Sequence, residues 1–190
     1  MKRSILFSLA IFSLIACKKE TKILPKLALA NPVATVNSDT IGDKAALKLK
    51  LMKDNVNTDE TMLLFNHSSR LGYFNNEDAP YLAGFGQVSL ASISSDGVDL
   101  AVNALPYKPG TSIGLDVCTK TDGTYFLKLS YQSKIPANIC MWIKDNYMKD
   151  SVDLRKSDYT FNVIKGDTNS FGHRRFVLIL RDSTQTNPGR

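Results

Sequence analysis

The sequence predicts an all-β domain, an antiparallel β-sandwich or jelly roll of about nine strands that follows an N-terminal leader. Three observations indicate this fold class. Short segments with alternating or continuous apolar residues recur along the chain, turn-forming residues separate them, and no stretch after the leader has the 3.6-residue period of an amphipathic helix. Many short strands without helices are typical of two packed sheets or a closed barrel.

The first strand is indicated by Leu47, Leu49 and Leu51, which alternate with lysines as on a strand with one buried face. Eight further segments are rich in β-branched and aromatic residues: 61–65, 87–93, 98–105, 112–118, 124–131, 138–143, 159–164 and 175–180. The Asp-Gly pairs at 96–97 and 122–123 favour hairpin turns, because glycine accepts the positive φ that tight turns require.

Alternation also predicts which side chains face inward. Two sets share one face of their strands and are predicted to lie in the core: Tyr125, Leu127, Leu129 and Tyr131, and then Ile139, Met141 and Ile143. Trp142 then points outward. It either stacks on a ligand or is covered by a loop or by the tether.

Residues 1–16 have the layout of a secretory signal peptide: Lys2 and Arg3 precede a short apolar stretch that is too brief to span a bilayer. The following motif, LIAC at residues 14–17, resembles the lipobox of bacterial lipoproteins, in which the chain is cleaved before the cysteine. The resemblance implies that Cys17 is acylated, with chains such as palmitate. Lys18 follows where lipoproteins held at the inner membrane carry aspartate, so we expect the outer membrane, with the cell-surface face favoured and the periplasmic face left open.

Residues 17–44 contain two prolines and many small polar residues, and are predicted to be a lipidated flexible tether. The β domain is predicted at 45–181 and a disordered tail at 182–190. Loss of residues 1–16 removes two of the 24 basic residues and leaves 22 against 18 acidic ones, a net charge of +4. The chain has no basic block, and neither nucleic-acid binding nor a nucleic-acid partner is expected.

The order of several phrases resembles a β-sandwich module of Bacteroidota cell-surface proteins, where it often precedes a type IX secretion sorting domain. The phrases are DGVDLAVNALP (96–106), DGTYFLKL (122–129), IPANICMWIKD (135–145), YTFNVIKGD (159–167) and HRRFVLIL (173–180). The resemblance covers roughly residues 60–181 and implies a display, spacer or adhesion module without catalytic residues. No sorting domain follows Arg181, so the resemblance does not imply type IX export.

Motifs for catalysis are lacking, and we expect no enzyme. The two histidines, His67 and His173, do not form a zinc-protease motif, and Ser68 and Ser69 do not lie in a nucleophile elbow. No cofactor is expected apart from the calcium considered next. Arg175 precedes the last strand and is expected to pair with an aspartate at the end of the domain in preference to binding an anion.

Three candidate sites remain, and each set of residues has both a functional and a purely structural interpretation. Cys118 and Cys140 either form a disulfide or stay as two thiols. Asp145, Asp150 and Asp153 lie on one connection and either hold calcium or cap turns. Candidate ligand-stacking residues are Trp142, Tyr107 and Tyr147, and Tyr73, Phe74, Tyr81 and Phe85 either bind a partner or anchor loops.

The function that follows is non-enzymatic: an outer-membrane lipoprotein that binds another protein, either as a subunit of an envelope complex or as a small adhesion module. The alternative is a glycan-binding accessory module that uses exposed aromatic side chains.

Overall fold

The structure, a computed structural model, describes residues 41–184, so the predicted signal peptide, the predicted acylation site at Cys17, most of the predicted tether and most of the predicted tail lie outside the described residues. Eleven strands follow one another: β1 Ala45–Met52, β2 Thr58–Phe65, β3 Ala79–Pro80, β4 Val88–Ile93, β5 Asp99–Leu105, β6 Ser112–Thr119, β7 Gly123–Ser133, β8 Ile139–Asp145, β9 Asp150–Asp153, β10 Tyr159–Val163 and β11 Phe176–Asp182. One short 3₁₀ helix, Thr168–Ser170, precedes β11. No α-helix occurs in the described range, and the all-β prediction is confirmed.

The strands form one sheet in the order β10-β7-β1-β2-β5-β4-β6-β11-β8-β9, with the two-residue β3 paired to β5. The pairs are antiparallel except for β2 and β5, which are parallel over four residue pairs, Met62↔Val102 to Phe65↔Leu105. The sheet curls around one core until its two end strands, β9 and β10, flank the same groove of about 640 Å³. It is therefore nearly closed. Within residues 41–184 no helix is long and apolar enough to cross a membrane.

The core is built from the inward side of every long strand. Leu49, Leu63, Leu90, Leu127 and Leu178 are fully buried although they come from five different strands. Each such side chain contributes about 1.5–3 kcal/mol through loss of apolar surface to water. The predicted alternation of Leu47, Leu49 and Leu51 is confirmed, because all three are fully buried.

The predicted inward faces are confirmed except at one position. Tyr125 and Leu127 of β7 are fully buried, as are Met141 and Ile143 of β8, but Tyr131 is 47% exposed. The cause is a β-bulge. Leu49 of β1 pairs with Leu129 whereas Lys48 pairs with Tyr131, so Ser130 is an extra residue that shifts the alternation of β7 by one position and puts Tyr131 on the outer face with Lys48.

Two short strands were not predicted. Strand β3 has two residues, and β9, with the sequence DSVD, lies in a segment that the sequence analysis predicts to be a connection. Strand β9 pairs with β8 from Trp142↔Asp153 to Asp145↔Asp150 and thereby forms one end of the sheet.

Candidate functional site

A buried ion pair holds one end of the domain together. Arg175, directly before β11, is 2% exposed, and Asp145, the last residue of β8, is fully buried. Arg175 Nη2 lies 2.8 Å from Asp145 Oδ2, and Nε lies 3.1 Å from the same oxygen. The expectation that Arg175 pairs with an aspartate is confirmed.

The Nη1 group of Arg175 also has partners. Its Nη1 donates to the carbonyl oxygens of Asn162 and Ser170, and its guanidinium lies 4.8 Å from the ring centroid of Phe161 and 4.7 Å from that of Phe176. Arginine suits this site because its planar fork satisfies several acceptors while its face stacks on aromatic rings. The role of this site is to join β8, β10, the 3₁₀ turn and β11.

The three aspartates that were considered as calcium ligands do not share one site. Asp145 accepts hydrogen bonds from Arg175, from the backbone of Tyr147 and from the Tyr159 hydroxyl. Asp153, 4% exposed, accepts from the backbone N–H groups of Met141 and Arg155. Strand register places Asp150 opposite Asp145 but Asp153 opposite Trp142, so the geometry does not support the calcium alternative.

The three candidate stacking residues are also apart. Trp142 lies on the outer face in the middle of β8, half-buried beside its cross-strand neighbour Ile179. Tyr107 packs edge-on against Phe65, with 6.2 Å between ring centroids. Tyr147 follows the C-terminal end of β8, where its ring contacts the guanidinium of Arg175. The structure therefore brings no two of the three into one aromatic platform.

Cys118 and Cys140 are free thiols in this structure, and the disulfide alternative is not realised. Strand register explains this. Cys140 pairs with Arg181, near the C-terminal end of β11. At the other end of β11, Phe176 pairs with Leu115 of β6, and Cys118 lies three residues further along β6, beyond the start of β11. The strand rise puts them roughly 20 Å or more apart, and a disulfide requires Cα atoms within about 7 Å.

Burial raises the pKa of the Cys118 thiol from its ordinary value of 9.0 to about 11, and the Asp116 carboxylate beside it acts in the same direction. Because only the thiolate reacts, we expect iodoacetamide at pH 8 to alkylate Cys118 about 100-fold more slowly in the folded protein than in urea. Peptide mass spectrometry of a time course in a Cys17→Ser background would measure this. Equal rates in both states would contradict the burial of this thiol.

A second feature is an exposed apolar surface on the connection between β2 and β4. Leu71 is 53% exposed, Leu82 is 87% exposed and Phe85 is fully exposed. Leu71 and Phe85 lie far apart, because Leu71 bonds to Ser95 beyond the C-terminal end of β4, whereas Phe85 bonds to Lys120, which pairs with Gln87 just before β4 begins. We therefore call Leu82 and Phe85, which are close in sequence, the apolar loop surface. Scattered exposed apolar residues are ordinary, but two large and almost fully exposed ones on one anchored connection indicate a contact surface.

The backbone that carries this surface is tied to the sheet. Phe85 O accepts from Lys120 Nζ at 2.9 Å, and Leu71 O accepts from the Ser95 N–H at 2.9 Å. Between them, Tyr81 donates its hydroxyl to Asp59 at 2.6 Å and its N–H to the carbonyl oxygen of Asp99 at 2.8 Å. Apolar side chains are thus presented from an anchored segment.

The aromatic residues of this segment that the sequence analysis names as candidates for partner binding or loop anchoring have different roles. Phe85 is exposed, whereas Tyr81 and Phe74 are anchors: Phe74 packs beneath the guanidinium of Arg70 at 4.4 Å, and its N–H donates to Asp78. Sequence reasoning missed Leu82. The available signal was the apolar stretch YLAGFGQ at residues 81–87, which contains two glycines and has no strand alternation.

A third feature is a group of three side chains with metal-ligand chemistry on the outer face of the sheet. His173 Nε2 lies 3.3 Å from Asp99 Oδ2 and 3.5 Å from Asp116 Oδ2. Cys118 Sγ donates to Asp116 Oδ2 at 3.4 Å. The other histidine, His67, is exposed on the turn after β2, where Nδ1 lies 2.5 Å from Asp43 Oδ2.

Comparison of the chain with protein-family models, with curated proteins and with solved structures found no significant match. No activity, ligand or partner is therefore transferred to this chain from another protein.

Proposed function

We propose that this protein is a non-enzymatic envelope lipoprotein that is anchored by acylated Cys17 and binds another protein through the apolar loop surface. The observation that carries the proposal is the exposure of Leu82 and Phe85, at 87% and 102%, on a connection whose backbone is bonded to the sheet. The lipobox-like motif at residues 14–17 supports anchoring in the outer membrane, and the module resemblance supports display at the cell surface.

The chemistry of the surface favours a protein partner over a sugar. An aliphatic side chain such as Leu82 gains free energy when it enters an apolar pocket, at about 25 cal/mol per Å² of buried apolar area. It offers no flat ring for a pyranose face, so a sugar on this surface would have the Phe85 ring alone to stack on. A large aromatic residue near the centre of a contact is a common energetic anchor, and Phe85 can fill that role.

The anchored backbone matters for affinity. Association costs free energy when a loop must be ordered, and a loop that is already held loses less. Hydrogen bonds from Lys120, Ser95 and Tyr81 fix the connection at several points between Leu71 and Phe85. We therefore infer that the surface is formed before the partner arrives, and that the partner supplies a complementary apolar pocket.

The glycan-binding alternative has weaker support, because Trp142, Tyr107 and Tyr147 lie at separate places on the domain. A sugar-binding site would have to use one of these residues alone, without the paired rings that commonly hold a sugar. Trp142 itself is half-buried against Ile179 on the outer face.

The test is a double substitution, Leu82→Ser with Phe85→Ser, in a tagged copy recovered from mildly solubilised envelopes. We expect the stoichiometric partner to be lost, since removal of two central contacts typically weakens binding by about 2 kcal/mol or more, roughly 30-fold in Kd. The matched control is Val56→Ser, an apolar residue that is also 87% exposed but lies on the β1–β2 turn. Retention of the same partner by the double variant, or equal loss in the control, would contradict the proposed surface.

A further inference from the structure

The group Asp99, Asp116 and His173 comes from three separate parts of the chain. Asp99 begins β5, Asp116 lies in β6, and His173 lies in the loop that leads to β11. The order β5-β4-β6-β11 places these elements side by side, and Ile93 of β4 pairs with both Asp99 and Gly114. Three oxygen and nitrogen ligand atoms lie within 4.8 Å of one another.

The spacing of the atoms matches a metal ligand set. Ligand atoms about 2.1 Å from a tetrahedral ion lie about 3.4 Å from one another. The distances from His173 Nε2 to the two carboxylate oxygens are 3.3 Å and 3.5 Å. An ion could therefore be held with small adjustments of three side chains.

The two carboxylates have few other partners among the described residues. Asp99 Oδ1 is a buried atom without a hydrogen-bond partner among the described residues, although the Asp99 side chain as a whole is about one-third exposed. The Asp116 side chain is only 14% exposed, and its Oδ2 accepts a hydrogen bond from Cys118 Sγ at 3.4 Å. The two neighbouring carboxylates, one of which has an unpartnered buried oxygen, share the half-exposed His173 as their ion-pair partner.

The position of His173 is fixed by its loop. Gly172 has a φ of +86°, and its N–H donates to the carbonyl oxygen of Val117 in β6 at 2.7 Å. On the other side, Asn146 contacts the backbone of Arg174 and of Arg175 at 3.0 Å and 2.8 Å. This turn holds His173 beside β6, and a preformed ligand position of this kind favours metal binding.

We propose that Asp99 Oδ2, Asp116 Oδ2 and His173 Nε2 form a binding site for a divalent transition-metal ion of the Zn²⁺ type, with water in the fourth position. The imidazole nitrogen selects this class over Ca²⁺, which prefers six to eight oxygen ligands. Binding displaces the proton from Nε2, and the ion takes over the compensation of both carboxylates. Cys118 Sγ donates to Asp116, which orients that carboxylate. This proposal does not depend on the proposed partner surface.

The test measures binding of Zn²⁺ alone to the purified full-length protein, by calorimetry and by metal content after dialysis. We expect one Zn²⁺ per chain and a rise in melting temperature, because an ion that binds only the folded state stabilises it. His173→Ala and, separately, Asp116→Asn should each weaken Zn²⁺ binding at least roughly tenfold. Excess Ca²⁺ should not displace the ion.

The matched control is His67→Ala. His67 also lies against a carboxylate, that of Asp43 at 2.5 Å, but it has no second acidic partner in the described structure. We expect this variant to bind Zn²⁺ like the unaltered protein. The proposal would be overturned if the unaltered protein retained no Zn²⁺, if His173→Ala and Asp116→Asn bound it as tightly as the unaltered protein, or if His67→Ala lost it equally.

Discussion

Replacement of Arg175 by methionine is expected to lower the free energy of unfolding by about 3–5 kcal/mol, because it leaves a buried carboxylate without its counter-charge. Asp145 is fully buried, and Arg175 makes the ion pair with it at 2.8 Å. The substitution also leaves the carbonyl oxygens of Asn162 and Ser170 without their donor. For a domain whose total stability is about 5–15 kcal/mol, this loss is large.

Urea unfolding of both proteins at pH 7 would measure the effect. The control is Arg174→Met, one residue away but exposed, which should change the stability by no more than about 0.5 kcal/mol. The double variant Asp145→Asn with Arg175→Met should be less unstable than Arg175→Met alone, since it removes the uncompensated charge. Equal stability of Arg175→Met and Arg174→Met would show that the buried pair does not hold the domain end.

Replacement of Cys17 by serine is expected to move the protein from the membrane fraction to the soluble fraction. Each buried methylene of an acyl chain contributes ~0.8 kcal/mol to membrane binding, so loss of more than one chain removes the whole anchor. Fractionation of cells followed by immunoblotting would measure the shift. The expectation rests on the lipobox-like motif alone, because Cys17 lies outside the described residues.

The control for this substitution is Cys140→Ser, which removes a thiol from β8 and should leave the protein in the membrane fraction. Cys17→Ser protein that stays membrane-bound at the mass of the uncleaved precursor would mean that residues 1–16 act as a plain anchor. That result would contradict lipidation as the means of attachment.

Much of the fold could be predicted because a strand with one buried face has an apolar residue at every second position. Leu47, Leu49 and Leu51 show this rule, and the nine predicted segments all correspond to strands of the structure. Strand β9 could not be predicted, since its four residues, DSVD, are too few and too polar to show alternation. The exposure of Tyr131 depends on the bulge at Ser130, which arises from pairing with β1 and leaves no mark in β7 itself.

The candidate sites were less accessible to sequence reasoning. The role of Arg175 was predicted, but its partner Asp145 was grouped with Asp150 and Asp153 as calcium ligands, because adjacency on one connection does not show which way each carboxylate points. Asp99, Asp116 and His173 are brought together only by the strand order β5-β4-β6-β11. Separations of 17 and 57 residues along the chain give no motif that could have identified the group.

The central claim is that the apolar loop surface binds a protein partner, and site-specific photo-crosslinking in intact cells tests it most directly. A photoreactive amino acid would replace Phe85 in one strain and Val56 in another, since both side chains are highly exposed but lie on different connections. We predict one dominant crosslinked protein from position 85 and none of it from position 56. No adduct at position 85, or the same adducts from both positions, would contradict the proposed function.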